Sequence, residues 1–76
     1  MDFKDKISIL KAYEIECYRI CVYLLGDNRP ASIAAEETMV DLFKSESFWQ
    51  ADEEQRRKLL QRFAVSRSLQ ARKQAV

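Results

Sequence analysis

Histidine is absent from this 76-residue chain, which also has only two cysteines, one glycine and one proline. A structural zinc site normally takes four nitrogen or sulfur ligands, so two thiols without histidine make a poor one. The scarcity of glycine and proline argues against a β-rich fold, which needs many turns. The longest apolar run, Ile20–Leu25, is far shorter than the ~20 residues that cross a bilayer. We therefore expect no metal, no cofactor and no membrane span.

Groups that carry out catalysis are equally scarce. Without histidine, no nucleophile has a plausible base beside it, and no glycine-rich phosphate loop is present. The carboxylates of the predicted second helix fall on its solvated face, where nothing favours a raised pKa. We therefore predict that the chain is not an enzyme.

The length of the chain limits the number of domains. A chain this short forms one domain, here residues 1–76, and buries only about 60% of its unfolded surface.

Cys17 and Cys21 lie four residues apart in an apolar helical run, as two small buried side chains on one face would. Free thiols in a helix suit a reducing cytoplasm. We therefore place the chain in the cytoplasm.

Hydrophobic spacing predicts three helices. The first spans Phe3–Leu25, because apolar residues recur there at helical spacing, and Gly26 ends it. The second spans Pro30–Lys44 and begins on a proline, which is favoured at the first helical position. The third spans Asp52–Lys73, with Asp52 as its N-cap. The predicted fold class is therefore all-α, a small three-helix bundle.

Charge is distributed unevenly along the chain. Residues 1–54 hold all 12 acidic residues, whereas residues 55–76 hold seven basic residues and no acidic one. A split of this kind predicts two different partners, or one acidic partner for the basic segment.

The predicted second helix carries three acids, Glu36, Glu37 and Asp41, on one side. One interpretation is a solubilising surface. The other is a docking face for an arginine-rich partner, because carboxylates accept bidentate hydrogen bonds from guanidinium groups.

The third helix carries a basic cluster close in sequence to aromatic residues. Its cations would hold phosphates while an aromatic ring stacks on an unpaired base. The alternative is that the aromatic residues lie in the core and the cations form a solvated face. The candidate nucleic-acid-binding residues are Phe48, Trp49, Arg56, Arg57, Lys58 and Arg62.

Several short motifs resemble region two of bacterial sigma factors, especially the extracytoplasmic-function group. The segment from Tyr18-Arg19-Ile20 to Leu24-Leu25-Gly26-Asp27 is similar to the family's Y-R-x-A-x-x-L-x-G-D. Without a gap, Ala31 and Glu37-Thr38 then match the helix A-E-D-L-V-Q-E-T-F-x-x-L-W, and Leu42-Phe43 replaces its Leu-Trp. In the third helix, Leu60 and Arg62-Phe63-Ala64 resemble W-L-x-R-I-A.

The resemblance implies a transcription-initiation module. In the family this second helix grips the clamp of core RNA polymerase, and region two contacts the −10 element of promoter DNA. Ser32 and Ile33 replace two of the family's acids, so an exposed Ile33 would make part of the contact apolar. Ser66 and Gln70 replace an Asn and an Asp of the family. The implied polymerase-binding residues are Ile33, Glu36, Glu37 and Asp41.

The family's region four, a helix-turn-helix that reads the upstream promoter element, has no counterpart in this sequence. The resemblance therefore implies a partial sigma factor that works with a co-sigma protein. The alternative is a helical protein-interaction module without DNA binding, either a homodimer or a decoy for an anti-sigma protein. The short chain and the broad apolar surface of the first helix motivate that alternative.

Overall fold

A computed structural model describes residues 2–74, so residues 1, 75 and 76 of the predicted domain lie outside the described part. It contains four helices and, over the described residues, no strand: α1 (Phe3–Leu25), α2 (Asn28–Lys44), α3 (Glu46–Gln50) and α4 (Glu53–Gln74). The predicted all-α bundle is confirmed, and α1 has the predicted bounds. The short helix α3 is the addition, in a segment where the sequence shows no periodicity.

The ends of α1 and the start of α2 follow from local capping. The Asp2 carboxylate accepts a hydrogen bond from the Asp5 backbone N–H at 2.9 Å. Gly26 ends α1 in the left-handed region, with φ of 70°. Asp27 then caps α2 by accepting from the Arg29 N–H at 3.1 Å. Because of this cap, α2 begins two residues earlier than predicted, and Pro30 occupies the third helical position, where its missing N–H would also be unpaired.

Two further caps organise the short helix and α4. Ser45 Oγ accepts from the Phe48 N–H at 3.2 Å, which starts α3 directly after α2. Asp52 Oδ1 accepts from the Gln55 N–H at 2.8 Å. The predicted N-cap of the last helix is therefore confirmed, and Glu53 and Glu54 lie in its first turn, where the helix dipole favours negative charge.

One part of the interior is built from small side chains, which we call the small-residue core: Cys17, Cys21, Ala31, Ala34 and Ala64, all without exposed surface. Small side chains let helices approach closely. The buried Cys17 thiol lies 3.8 Å from the Ala35 carbonyl, and burial raises its pKa to about 12. The prediction that both cysteines are buried hydrophobic side chains is confirmed, and Cys17 stays a neutral thiol at physiological pH.

The second part of the interior is the aromatic cluster around α3. Its rings meet edge to face, an arrangement that aromatic quadrupoles favour. Phe48 lies with its centroid 5.9 Å from Tyr13 and 4.9 Å from Trp49. Phe43 bridges Trp49 and Phe3 at 6.3 and 5.7 Å. The cluster therefore ties α3 to the start of α1 and the end of α2.

Candidate functional site

The outward surface of α2 carries an apolar and acidic patch, which we call the docking face: Ile33, Glu36 and Val40. These residues are spaced three and four apart, so they share one side of the helix. Ile33 is 59% exposed and Val40 is 50% exposed, and Glu36 is exposed between them. The expectation that Ile33 is exposed is confirmed.

The acidic cluster predicted on α2 is divided between two sides of the helix. Arg67 of α4 donates to both carboxylate oxygens of Asp41, at 2.6 and 2.9 Å, and to Glu37 at 3.0 Å. The bond from Arg67 holds the pKa of the Asp41 carboxyl below its usual value, and the same contact raises the pKa of Arg67. Only Glu36 of the three acids keeps its carboxylate free of ion pairs within the described residues.

Helix geometry explains why the prediction of a single acidic face was wrong. Successive residues of an α-helix are rotated by about 100°, so Glu36 and Glu37 point toward different neighbours. Glu36 borders α1, whereas Glu37 and Asp41 face α4. Arg67 was not among the predicted site residues. Its position was detectable, because it continues the inward spacing of Leu60 and Ala64 and a cation there needs an acidic partner.

A groove of about 620 Å³ runs along the surface between α1 and α2. Its floor includes Leu10 and Ala35, which are buried, and the half-buried Met39. Glu14 of α1 and Glu36 of α2 stand on its rims, and both are exposed. The complete lining is Ile7, Leu10, Lys11, Glu14, Ile15, Tyr18, Ser32, Ala35, Glu36, Met39 and Val40. The groove thus presents an apolar floor with two acids and one cation at its edges.

Phe48 and Arg56 have structural positions that do not fit the predicted contact with nucleic acid. Phe48 has no exposed surface, so its ring faces cannot stack on a base. Arg56 is half-buried and donates to the carbonyl oxygens of Phe48 and Trp49, at 3.0 and 3.2 Å. Its guanidinium carbon also lies 5.5 Å from the Phe48 ring centroid. Arg56 therefore closes the C-terminal end of α3, where helix carbonyls lack partners.

Trp49 is half-buried and held at several points. Its Nε1–H donates to the Phe43 carbonyl at 2.8 Å. Two cations lie over the indole: Lys6 Nζ is 5.1 Å from the ring centroid, and the Arg56 guanidinium carbon is 5.7 Å from it. These contacts occupy much of the ring that a nucleic-acid base would need for stacking.

The remaining predicted cations lie at the surface of α4 and not in the core. Arg57 leans toward α1, where Nε lies 3.8 Å from Glu16, and Lys58 lies 3.9 Å from Glu54. Arg62 is exposed. Residues spaced three or four apart continue this side toward the C-terminal end of α4, and they are exposed. We call the set the cationic stripe: Lys58, Arg62, Val65, Leu69, Arg72 and Lys73. Its spacing is visible in the sequence, although Val65, Leu69, Arg72 and Lys73 were not predicted.

Residues 2–74 contain no group of three or more His, Cys, Asp or Glu side chains placed to hold a metal ion. None of the described helices combines the length and the apolar character that crossing a membrane requires.

Comparisons of this chain with protein-family profiles, curated proteins and solved structures find no match.

Proposed function

We propose that this chain is a transcription-initiation module of the sigma region-two type, which docks on the clamp of core RNA polymerase through α2. The observation that carries the proposal is the docking face. Ile33, Glu36 and Val40 lie side by side and exposed, on the helix whose sequence resembles the clamp-binding helix of the family. The role belongs to the cytoplasm, where polymerase works.

The residues of this contact differ in how much they would contribute to binding, because their charge and burial differ. Glu36 is available to a basic side chain of the clamp, because no ion pair within residues 2–74 engages it. Glu37 and Asp41 would first have to leave Arg67, which holds them with charge-assisted hydrogen bonds. Ile33 and Val40 would add apolar area. We therefore expect Ile33 and Glu36 to contribute most to binding.

Promoter contact is assigned to the cationic stripe. Arg62, Arg72 and Lys73 are exposed on one side of a helix that has no acid after Glu54. Such a surface binds phosphates in any sequence context and with strong salt dependence. Phe48 and Arg56 have no direct part in this contact, because they are engaged in the protein interior.

A pull-down with core polymerase tests the docking face. The double variant Ile33→Asp/Glu36→Lys should retain at least about tenfold less polymerase than the unmodified chain, because it places charge where the contact is apolar and reverses its free acid. Glu54→Lys is the matched control, since Glu54 is exposed on α4 and pairs only weakly with Lys58. Undiminished binding by the double variant would exclude this docking face.

Binding to single-stranded −10 DNA tests the stripe. Fluorescence anisotropy across a salt series should give a steep slope, and Arg62→Gln should reduce it by about 0.7 if one phosphate contact is lost. A chain that shows no DNA binding at low salt would limit the proposal to polymerase docking.

A further inference from the structure

The α1/α2 groove and the cationic stripe are complementary in chemistry. The groove has an apolar floor, and its acids Glu14 and Glu36 stand on opposite rims. The stripe has two aliphatic residues, Val65 and Leu69, flanked along the helix by Arg62 and Arg72. An amphipathic helix binds a groove through residues spaced three, four and seven apart, and these four have that spacing.

We propose that the cationic stripe of one copy of this chain docks into the α1/α2 groove of another copy. Val65 and Leu69, which are 38% and 47% exposed, would cover the apolar floor near Met39. Arg62 and Arg72 would stand over the rims, within reach of Glu14 and Glu36. A second copy is the chosen occupant because this chain itself supplies a helix with the required apolar and basic pattern.

Among residues 2–74, Lys11 is the one cation that lines the groove, and it opposes a basic partner. It is exposed, so its ammonium group can remain in water while its methylene chain lies along the apolar floor. The two acids on the rims therefore make the groove favour a positively charged partner.

The position of the two surfaces determines the symmetry of the contact. Helix α4 packs against both α1 and α2, and within the part of α4 whose side chains are described, no residue lines the groove. The groove and the stripe therefore lie on opposite sides of the bundle, so one pair of copies leaves a free groove and a free stripe. Association is head-to-tail, which produces open chains unless the rotation closes a ring.

Self-association would hide the surfaces that bind other partners in the proposed function. Glu36 belongs to both the groove and the docking face, and Arg62 belongs to the stripe. The self-association proposal does not depend on the proposed function, however, because both surfaces are defined by the chain alone. One side of a single helix in a shallow groove corresponds to the weak class of interfaces, so we expect association at high protein concentration.

Analytical ultracentrifugation of the purified chain tests this proposal without polymerase or DNA. At about 20 mM salt, the average mass should rise with concentration up to about 1 mM. At about 500 mM salt, the association should weaken, because exposed charges are then screened. A chain that remains monomeric over the whole low-salt series would overturn the proposal.

Two charge-reversed variants identify the surfaces. Glu14→Lys/Glu36→Lys reverses the rims, and Arg62→Glu/Arg72→Glu reverses the stripe. Each variant alone should associate on the order of tenfold more weakly than the unmodified chain, because its groove and stripe then carry like charges. An equimolar mixture of the two should regain association, since opposite charges meet again at each mixed contact.

All four substituted residues are exposed, and far-UV circular dichroism should report the same helical content for each variant. Association of either variant at the level of the unmodified chain would exclude this interface, as would a mixture that stays monomeric. Failure here leaves the polymerase pull-down unaffected, so the two proposals are judged separately.

Discussion

The aromatic cluster and the small-residue core hold the same three long helices by different means. Around α3, large rings meet edge to face, and Phe48 is fully buried among them. In the small-residue core, alanines and cysteines fill the interior, and Ala34 and Cys17 have no exposed surface. The first arrangement gains stability from the area of each ring. The second gains it from close helix approach, so added volume there forces neighbouring side chains or helices to shift.

This difference separates residues that hold the fold from residues available to partners. The aromatic and basic residues near α3 have the composition of a nucleic-acid site, yet Phe48, Trp49 and Arg56 contact one another. Over the small-residue core, side chains of α2 such as Ile33 and Glu36 remain exposed. A surface for partners is therefore best sought on the outward side of α2 and not among the aromatic residues.

Removal of the central ring should have the largest effect. Phe48→Ala should lower the free energy of unfolding by about 3–5 kcal/mol, because it deletes a buried phenyl ring and leaves a cavity. That is a large part of the stability of a small domain, so the variant should be partly unfolded at room temperature. Urea denaturation followed at 222 nm measures the change. Stability close to that of the unmodified chain would show that Phe48 is not central to the core.

Added volume in the small-residue core should have the next largest effect. Ala34→Leu should destabilise the fold by about 1–3 kcal/mol, because Ala34 has no exposed surface and a larger side chain must displace its neighbours. Ser32→Leu places the same side chain at an exposed position of α2 and should stay within about 0.5 kcal/mol. The same urea experiment compares the two. Equal effects would contradict the close helix approach assigned to this part of the core.

Two arginines of α4 should differ in their effect on stability, because one is engaged in the fold and the other is exposed. Arg56→Met should cost about 1–2 kcal/mol, because it removes hydrogen bonds to two carbonyls of α3. Arg62→Met should cost no more than about 0.5 kcal/mol, since Arg62 is exposed. Thermal denaturation measures both. A reversed order would mean that Arg56 does not close the end of α3.

The smallest effect concerns acid stability. The folded pKa of Asp41 lies below its ordinary value of 3.8, so its contact with Arg67 stabilises the fold above that pH. This contribution is lost as the pH falls through the folded pKa. Asp41→Asn should therefore flatten the acid limb of a stability profile below about pH 4. In an Arg67→Gln background the same substitution should change little more, and a full additional effect would point to another partner for Asp41.

The parts of the fold that could be predicted from the sequence are those determined by residues close together in the chain. The bounds of α1 and the caps at Gly26 and Asp52 depend on residues within a few positions, and each is confirmed. Helix α3 was not predicted, because five residues are too few to show a periodicity. Its ring Phe48 packs against Tyr13 of α1, which is remote in sequence, and that contact cannot be read from a local pattern.

For the candidate site, the sequence predicted the exposed Ile33 but did not separate Glu37 and Asp41, which face α4, from Glu36, which borders α1. Both acids pair with Arg67, which is 26 residues beyond Asp41 in the chain. No local pattern specifies which acid such a cation will meet. The cationic stripe is the opposite case, because its spacing could be read from α4 alone.

By itself, the amino-acid sequence determined the all-α class, the long helices and the separation of acidic from basic segments, because helical periodicity, caps and charge are local properties. Tertiary packing decided which of those charged and aromatic side chains remain available. Once α4 lies across α1 and α2, Arg67 meets Asp41, and Arg56 reaches the carbonyls of α3. Burial and pairing are properties of neighbours in space, which is why composition near Trp49 indicated a binding site and the structure shows a packed junction.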